Sequence, residues 1–165
     1  MDLKSINELN DNDAGEVFRR CCGSNAWVEE MIRARPFASD EALSQQADRS
    51  FKDLTRADWM EAFAAHPKIG DITSLKKKYA VTQKWAENEQ AGAQGISDEV
   101  AKDLADRNEE YFQKFGYIFI VCATGKSAQE MLTMLKQRLN NDAETELPIA
   151  AEEQKKITHL RLGKL

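Results

Sequence analysis

Tyr117-Ile118-Phe119-Ile120-Val121-Cys122-Ala123 is the stretch on which the fold class turns. Seven apolar residues in a row, with Gly116 before them and Gly125 just beyond, read equally as a buried strand or a buried helical turn, and periodicity cannot separate the two. The surroundings decide. A strand needs a partner for its hydrogen-bond ladder, and no second run of similar quality exists in the chain. Upstream, Ser97-Asp98-Glu99 opens the clearest helix of the sequence: Val100, Leu104, Tyr111 and Phe115 recur at helical spacing, and Gly116 ends it. Downstream, Ser127 and Glu130 have capping-box spacing ahead of Met131, Leu135 and Leu139. The run is therefore a buried extended or irregular connection, and the expected fold is all-α, a compact single-domain helical bundle over residues 1–165.

Working outward, the rest of the chain reads as helix with little punctuation: three prolines, eight glycines, no repeat and no low-complexity tract. Asp13-x-x-Glu16 opens a short helix through Val17 and Phe18 to Cys21 and Cys22. Gly23-Ser24 separates it from a helix with Trp27, Val28, Met31 and Ile32 on its apolar face and Pro36 beyond its end. Ser39-Asp40-Glu41 starts a third, through Leu43, Ala47 and Leu54. Thr55 and Asp58 form a capping pair for a fourth, with Trp59 and Phe63 on one face. The segment from Ile72 to Thr82 has no clear assignment, and Trp85 to Gln90 reads as a short helix stopped at Ala91-Gly92-Ala93-Gln94-Gly95. A last helix, roughly Pro148 to Leu162, is expected to turn Ile149, Ala150, Ile157 and Leu160 inward.

Composition narrows the function classes. At 42% hydrophobic and 31% charged residues the chain matches a soluble globular protein, and 165 residues bury a real core. A formal charge of −5 with no aromatic-basic ladder argues against a nucleic-acid surface; Lys76-Lys77-Lys78 is the only basic cluster. No apolar run approaches membrane-spanning length, and the first ten residues lack a signal-peptide core. Three cysteines make no disulfide framework, and the adjacent Cys21 and Cys22 do not readily bridge to each other, so a reducing cytoplasm is the expected location. The tail Gly163-Lys164-Leu165 approaches a peroxisomal address but has Gly where a Ser is expected, and it carries little weight.

The candidate chemistry centres on His66, in the stretch His66-Pro67-Lys68-Ile69-Gly70-Asp71, one of two histidines in the chain. Pro67 disfavours the helical region for His66, so the chain leaves the helix there with the imidazole held between a helix and a stiff proline. Histidine titrates near neutrality and can give or take a proton. The plain alternative is a helix end whose ring bonds a free carbonyl, and spacing alone favours it. Glu89 and Gln90 offer a carboxylate and an amide, suited to an N–H-rich ligand, although such pairs usually face solvent. Arg161 lies between Leu160 and Leu162, which suggests partial burial and hence an acidic partner or a bound anion. His159 reads as a surface residue. Cys122 reads as a core thiol rather than a nucleophile. Metal-ligand spacings and phosphate-cradling glycine loops are absent from the sequence.

Four motifs in order, His66-Pro67-Lys68-Ile69-Gly70-Asp71, Glu87-Asn88-Glu89-Gln90-Ala91-Gly92, Phe115-Gly116 with the apolar run, and Lys155-Lys156-Ile157-Thr158-His159-Leu160-Arg161-Leu162, closely resemble the OHCU decarboxylase family. The likeness runs from Arg35-Pro36-Phe37 to the final Leu-Arg-Leu. It implies an all-α, often dimeric enzyme without metal or organic cofactor, acting on 2-oxo-4-hydroxy-4-carboxy-5-ureidoimidazoline. The product is S-allantoin, in the last step from urate. Carried over by motif, the catalytic residues are His66, Glu89 and Arg161, and the substrate-lining residues are Pro67, Ala86, Glu87, Asn88, Glu89, Gln90, Phe119, Ile120, Val121, Cys122 and Ala123. Ala86 stands where many relatives have serine, so a hydroxyl contact is missing and a modest change in binding is expected. Two other classes remain open: a non-catalytic helical interaction module, and a hydrolase of a related ureido compound using the same His–Glu pair.

Overall fold

The computed structural model describes residues 1–67 and 97–165. Eight helices fall within them: α1 Leu3–Glu8, α2 Asp11–Cys21, α3 Asn25–Arg33, α4 Asp40–Phe51, α5 Arg56–Ala64, α6 Asp98–Phe115, α7 Ala128–Arg138 and α8 Ala143–Leu162. The fold class is all-α, with no strand among the described residues. The chain divides into two units, one of residues 1–66 with 151–165 and one of residues 67–150.

Most helix starts are made where short polar residues can accept from their own first turn. Ser24, Ser39, Thr55 and Ser97 each accept from a backbone N–H three residues on. Thr55 and Asp58 complete the reciprocal box. At α7 only half of the expected box forms: Ser127 accepts from the Glu130 N–H, but the Glu130 carboxylate takes the Ser127 hydroxyl proton rather than its backbone N–H. Gly116 closes α6 in the left-handed region at φ 82°, a conformation open to glycine without a Cβ clash.

Several helix boundaries depart from the sequence reading. α2 starts at Asp11 with Asn10 as its cap, two residues before Asp13. α1 has no counterpart in the sequence reading. It has six residues, too few to persist alone, and Arg35 holds it, donating to the Ile6 and Leu9 carbonyls at 3.2 and 2.5 Å and to Asp11 at 2.7 Å. Asn7 locks the same end by exchanging two hydrogen bonds with the Phe37 backbone. Leu54 lies beyond the end of α4 at Phe51.

In the first unit a file of rings forms the core. Trp27 stacks on Phe51, Phe51 on Trp59 and Trp59 on Phe63, with centroids 5.5–6.1 Å apart. The Trp27 indole N–H donates to the Ala47 carbonyl at 3.2 Å. This file seats α5 and so places the residue that follows it, His66. Gly23 matters for the same reason: a Cβ there would lie 2.3 Å from the Ala65 Cβ, so only glycine lets the end of α5 approach this closely.

The second unit explains how a seven-residue apolar run stays buried without helix or ladder. Residues 117–123 are largely buried, and cationic side chains take carbonyls that a neighbouring strand would otherwise satisfy. Arg138 donates to the Ile120 carbonyl at 2.6 Å and Lys126 to that of Cys122 at 2.8 Å. Tyr111 packs its ring against Phe115, Tyr117 and Phe119.

α8 corrects the sequence reading most. It begins at Ala143 rather than near Pro148, which sits inside its first two turns. Ala150 is buried as expected, but Ile149 and Leu160 are exposed and Ile157 is half-buried. The residues turned inward are instead Glu146, Ala150, Gln154, Thr158 and Leu162 at four-residue steps, together with Ala151 and Glu153. A largely polar stripe faces the interior, and each buried polar group in it needs a partner.

Candidate functional site

His66 follows the last turn of α5. Its backbone N–H still reaches the Phe63 carbonyl at 3.2 Å, and Pro67, exposed, takes the chain away. The half-buried imidazole does not end on a backbone carbonyl, as the plain helix-end reading had it, but on a side chain of α8. His66 Nε2 lies 2.6 Å from Gln154 Oε1. Gln154 is fully buried, and its amide nitrogen donates to Thr158 Oγ at 3.1 Å. Thr158 Oγ in turn donates to the Gln154 backbone carbonyl at 2.9 Å. The ring is thus oriented from behind by a polar network on one helix face.

Arg161 extends that face: positions 154, 158 and 161 follow the helical repeat. The expectation of partial burial is corrected, because Leu160 points outward and Arg161 is exposed. Its guanidinium donates to the Arg20 carbonyl at 3.2 Å, at the end of α2. Beneath it are the two buried cysteines of the first unit. Burial pushes the Cys21 thiol up to about 11, with the Arg161 charge pulling the other way. Cys22 is raised as well, again by burial first. Both are protonated core thiols at neutral pH.

The remaining expected site residues divide into two sets. Phe119, Ile120, Val121 and Cys122 are buried in the second unit's apolar run and Ala123 is half-buried at its end. Cys122 is therefore a core thiol, as read. Ala86, Glu87, Asn88, Glu89 and Gln90, with the short helix expected at Trp85 to Gln90, lie outside the described residues.

His159 is partly exposed, and its ring is bonded at both nitrogens. Its ring bridges Asp48 Oδ1, at 2.7 Å from Nε2, and Ser44 Oγ, at 3.3 Å from Nδ1. A serine, a histidine and an aspartate in line invite comparison with a nucleophilic triad. Ser44 sits in the middle of α4, however, where neighbouring N–H groups are spent on helical carbonyls and cannot hold an oxyanion. The trio joins α4 to α8.

Comparison with known proteins decides the family. The OHCU decarboxylase family model matches residues 7–163. The chain belongs to the OHCU decarboxylase family. Among its relatives in that family, the uric acid degradation bifunctional protein TTL of Arabidopsis thaliana is 39% identical over 150 residues. The match takes in 91% of this chain and 46% of the plant protein, so the chain spans about half the length of that relative. The 2-oxo-4-hydroxy-4-carboxy-5-ureidoimidazoline decarboxylase of Haloferax volcanii is 26% identical, with 98% of this chain and 94% of that one covered. A crystal structure of OHCU decarboxylase in the presence of (S)-allantoin superposes with a TM-score of 0.74 at 34% identity, covering 94% of this chain and 97% of the other.

The residues that sequence reasoning missed within this family member are Gln154 and Thr158. A period-four run of polar residues, Glu146, Gln154 and Thr158 interrupted by Ala150, was the available signal. Scoring only apolar periodicity passes over it.

Proposed function

We propose that the protein decarboxylates 2-oxo-4-hydroxy-4-carboxy-5-ureidoimidazoline to S-allantoin, with residues 1–165 acting as a single catalytic domain. The observation that carries this reading is the family match over residues 7–163, which takes in both units of the chain. The placement of His66 supports it: a titratable ring at a helix end, anchored to a buried amide.

Loss of CO2 leaves an electron pair that needs a sink, for which many decarboxylases use a cofactor. This substrate supplies its own. The pair moves from the breaking C–C bond into the ring C=N beside the carboxyl-bearing carbon, and the ring nitrogen takes a proton from solvent. The resulting enol gives up its hydroxyl proton to become the ring carbonyl, while the neighbouring carbon accepts one. The face of that last proton sets the handedness of the product. His66 handles the proton, Glu89 accepts N–H bonds from the ureido or ring nitrogens, and Arg161 holds substrate oxygens and stabilises developing negative charge. Pro67, residues 86–90 and residues 119–123 line the substrate, with no metal or organic cofactor required. A cytoplasmic homodimer completes the reading, and no helix among the described residues is long and apolar enough to cross a membrane.

The test generates the unstable substrate in situ from urate with the two preceding enzymes, adds this protein with a chelator present, and follows handedness by circular dichroism. Rapid appearance of S-allantoin in wild type, with His66→Ala returning to the slow spontaneous trace while keeping its helical spectrum, is the expected result. A wild-type trace matching spontaneous decay to racemic product overturns the activity. Stereospecific turnover at near wild-type rate in His66→Ala removes His66 from it.

A further inference from the structure

The buried network behind His66 specifies which ring nitrogen carries the proton, and the deduction starts from Thr158. Its hydroxyl has one proton, directed at the Gln154 backbone carbonyl 2.9 Å away, one turn back on the same helix. Toward the Gln154 side chain, at 3.1 Å, that oxygen can then act only as an acceptor. The group turned toward Thr158 must therefore be the amide NH2, and the amide oxygen must face His66. An oxygen that can only accept, 2.6 Å from Nε2, requires hydrogen on Nε2. In the neutral ring Nδ1 is then left with the lone pair.

The network cannot easily rearrange. Gln154 and Thr158 are both fully buried. With the Thr158 hydroxyl donating to the Gln154 carbonyl, a flipped amide would turn its oxygen toward a hydroxyl with no proton left to give. Each flip leaves a buried group unsatisfied. Cys22, itself buried, is the neighbour on the other side of Thr158.

We propose that Gln154, fixed by Thr158, is a positioning residue that holds His66 in its Nε2–H form, so that Nδ1 is the atom exchanging a proton with substrate. The proton account closes on the ring. Nδ1 takes the substrate's hydroxyl proton to give an imidazolium whose Nε2–H stays on Gln154 Oε1, and the same Nδ1 returns a proton to carbon. Gln154 accepts throughout and touches no reacting atom. The catalytic step rests on the decarboxylase reading above, whereas the tautomer itself does not.

The experiment uses histidine labelled with 15N and reads the ring nitrogens by long-range proton–nitrogen correlation under conditions where the ring is neutral. With two histidines in the chain, His159→Asn assigns the His66 signals. Wild type is expected to show protonated Nε2 and bare Nδ1. Gln154→Met, which keeps the bulk and removes the acceptor, should give a tautomer mixture and lower kcat in proportion to the Nε2–H form lost, about twofold for an even mixture, with KM little changed. Gln154→Glu, which restores an acceptor, should restore Nε2–H. Thr158→Val should loosen the preference and Thr158→Ser should retain it. Bare Nε2 in wild type, or a tautomer unchanged in both Gln154→Met and Thr158→Val, overturns the proposal. If the protein lacks decarboxylase activity the spectra still decide the tautomer, so the two readings fail separately.

Discussion

Replacing Glu146 by leucine tests how the apolar run is held. Glu146 is fully buried in the first turn of α8. One carboxylate oxygen accepts from Arg138 Nε at 2.5 Å and from the Tyr111 hydroxyl at 2.6 Å, and the other from Asn141 at 3.0 Å. Burial, and next the bond to Glu146, push the Tyr111 phenol well above its ordinary range, so it stays a donor. Arg138, 7% exposed at its side chain, also lies 4.6 Å over the Phe119 ring and donates to the Ile120 carbonyl. Glu146→Leu strands a buried guanidinium, a loss of ~3–5 kcal/mol, and orphans the Tyr111 hydroxyl for ~1 kcal/mol more. Against a total stability of ~5–15 kcal/mol, the variant is expected to lose ~4–6 kcal/mol, a fall in Tm of roughly 8–24 °C for a chain of this size.

The double variant Arg138→Met/Glu146→Leu removes both charges and should recover much of that, since apolar replacements of buried pairs are often near neutral. It should not recover all, because the Ile120 carbonyl loses its donor, a deficit of ~1–3 kcal/mol. Urea titrations followed by far-ultraviolet circular dichroism measure all four corners of the cycle. A Glu146→Leu loss below ~1 kcal/mol, or a double variant as unstable as the sum of the singles, would refute the view that the pair is a mutually dependent buried unit.

Two further outcomes follow from the first unit. Gly23→Ala should cost ~1–3 kcal/mol through overpacking against Ala65 and lower turnover by displacing His66; Gly23→Ala/Ala65→Gly should restore both, as read by urea unfolding and initial rates. Cys21 and Cys22 should resist thiol reagents in the native protein at neutral pH and react on unfolding. Because the folded Cys21 thiol keeps its proton up to about pH 11 while the unfolded one loses it near 9.0, the unfolded state binds fewer protons in that window. Stability should therefore fall as pH rises from 9 to 11, a decline that Cys21→Ala lessens, while Cys22 and the Tyr111 phenol, also raised by burial, sustain the remainder.

Much of the helical layout was legible from local signals. Ser24, Ser39, Thr55, Ser97 and Ser127 each make their capping bond to a residue three positions away, so the information sits in one short window. The apolar run was also readable as strandless, since a ladder partner would itself have shown as a second run. Of the candidate site, His66 and Arg161 stand out by motif, but the partial burial expected of Arg161 does not hold. Leu160 is apolar yet faces out, so its hydrophobicity says nothing of the direction of its neighbour. Gln154 and Thr158 gave no apolar signal and were passed over.

What the amino-acid order determined by itself is thus the all-α class, the capped starts of α3 to α7 and the family to which the chain belongs, because caps, turns and motifs are local in sequence. Tertiary structure alone decided that α1 exists, that α8 turns a polar stripe inward, and that His66 rests on an amide instead of a carbonyl. Those outcomes depend on partners far away: 88 residues separate His66 from Gln154, 35 separate Tyr111 from Glu146, and 29 separate Arg35 from Ile6. A polar side chain can be buried only where a complementary group arrives to satisfy it, and the folded chain alone brings those groups together.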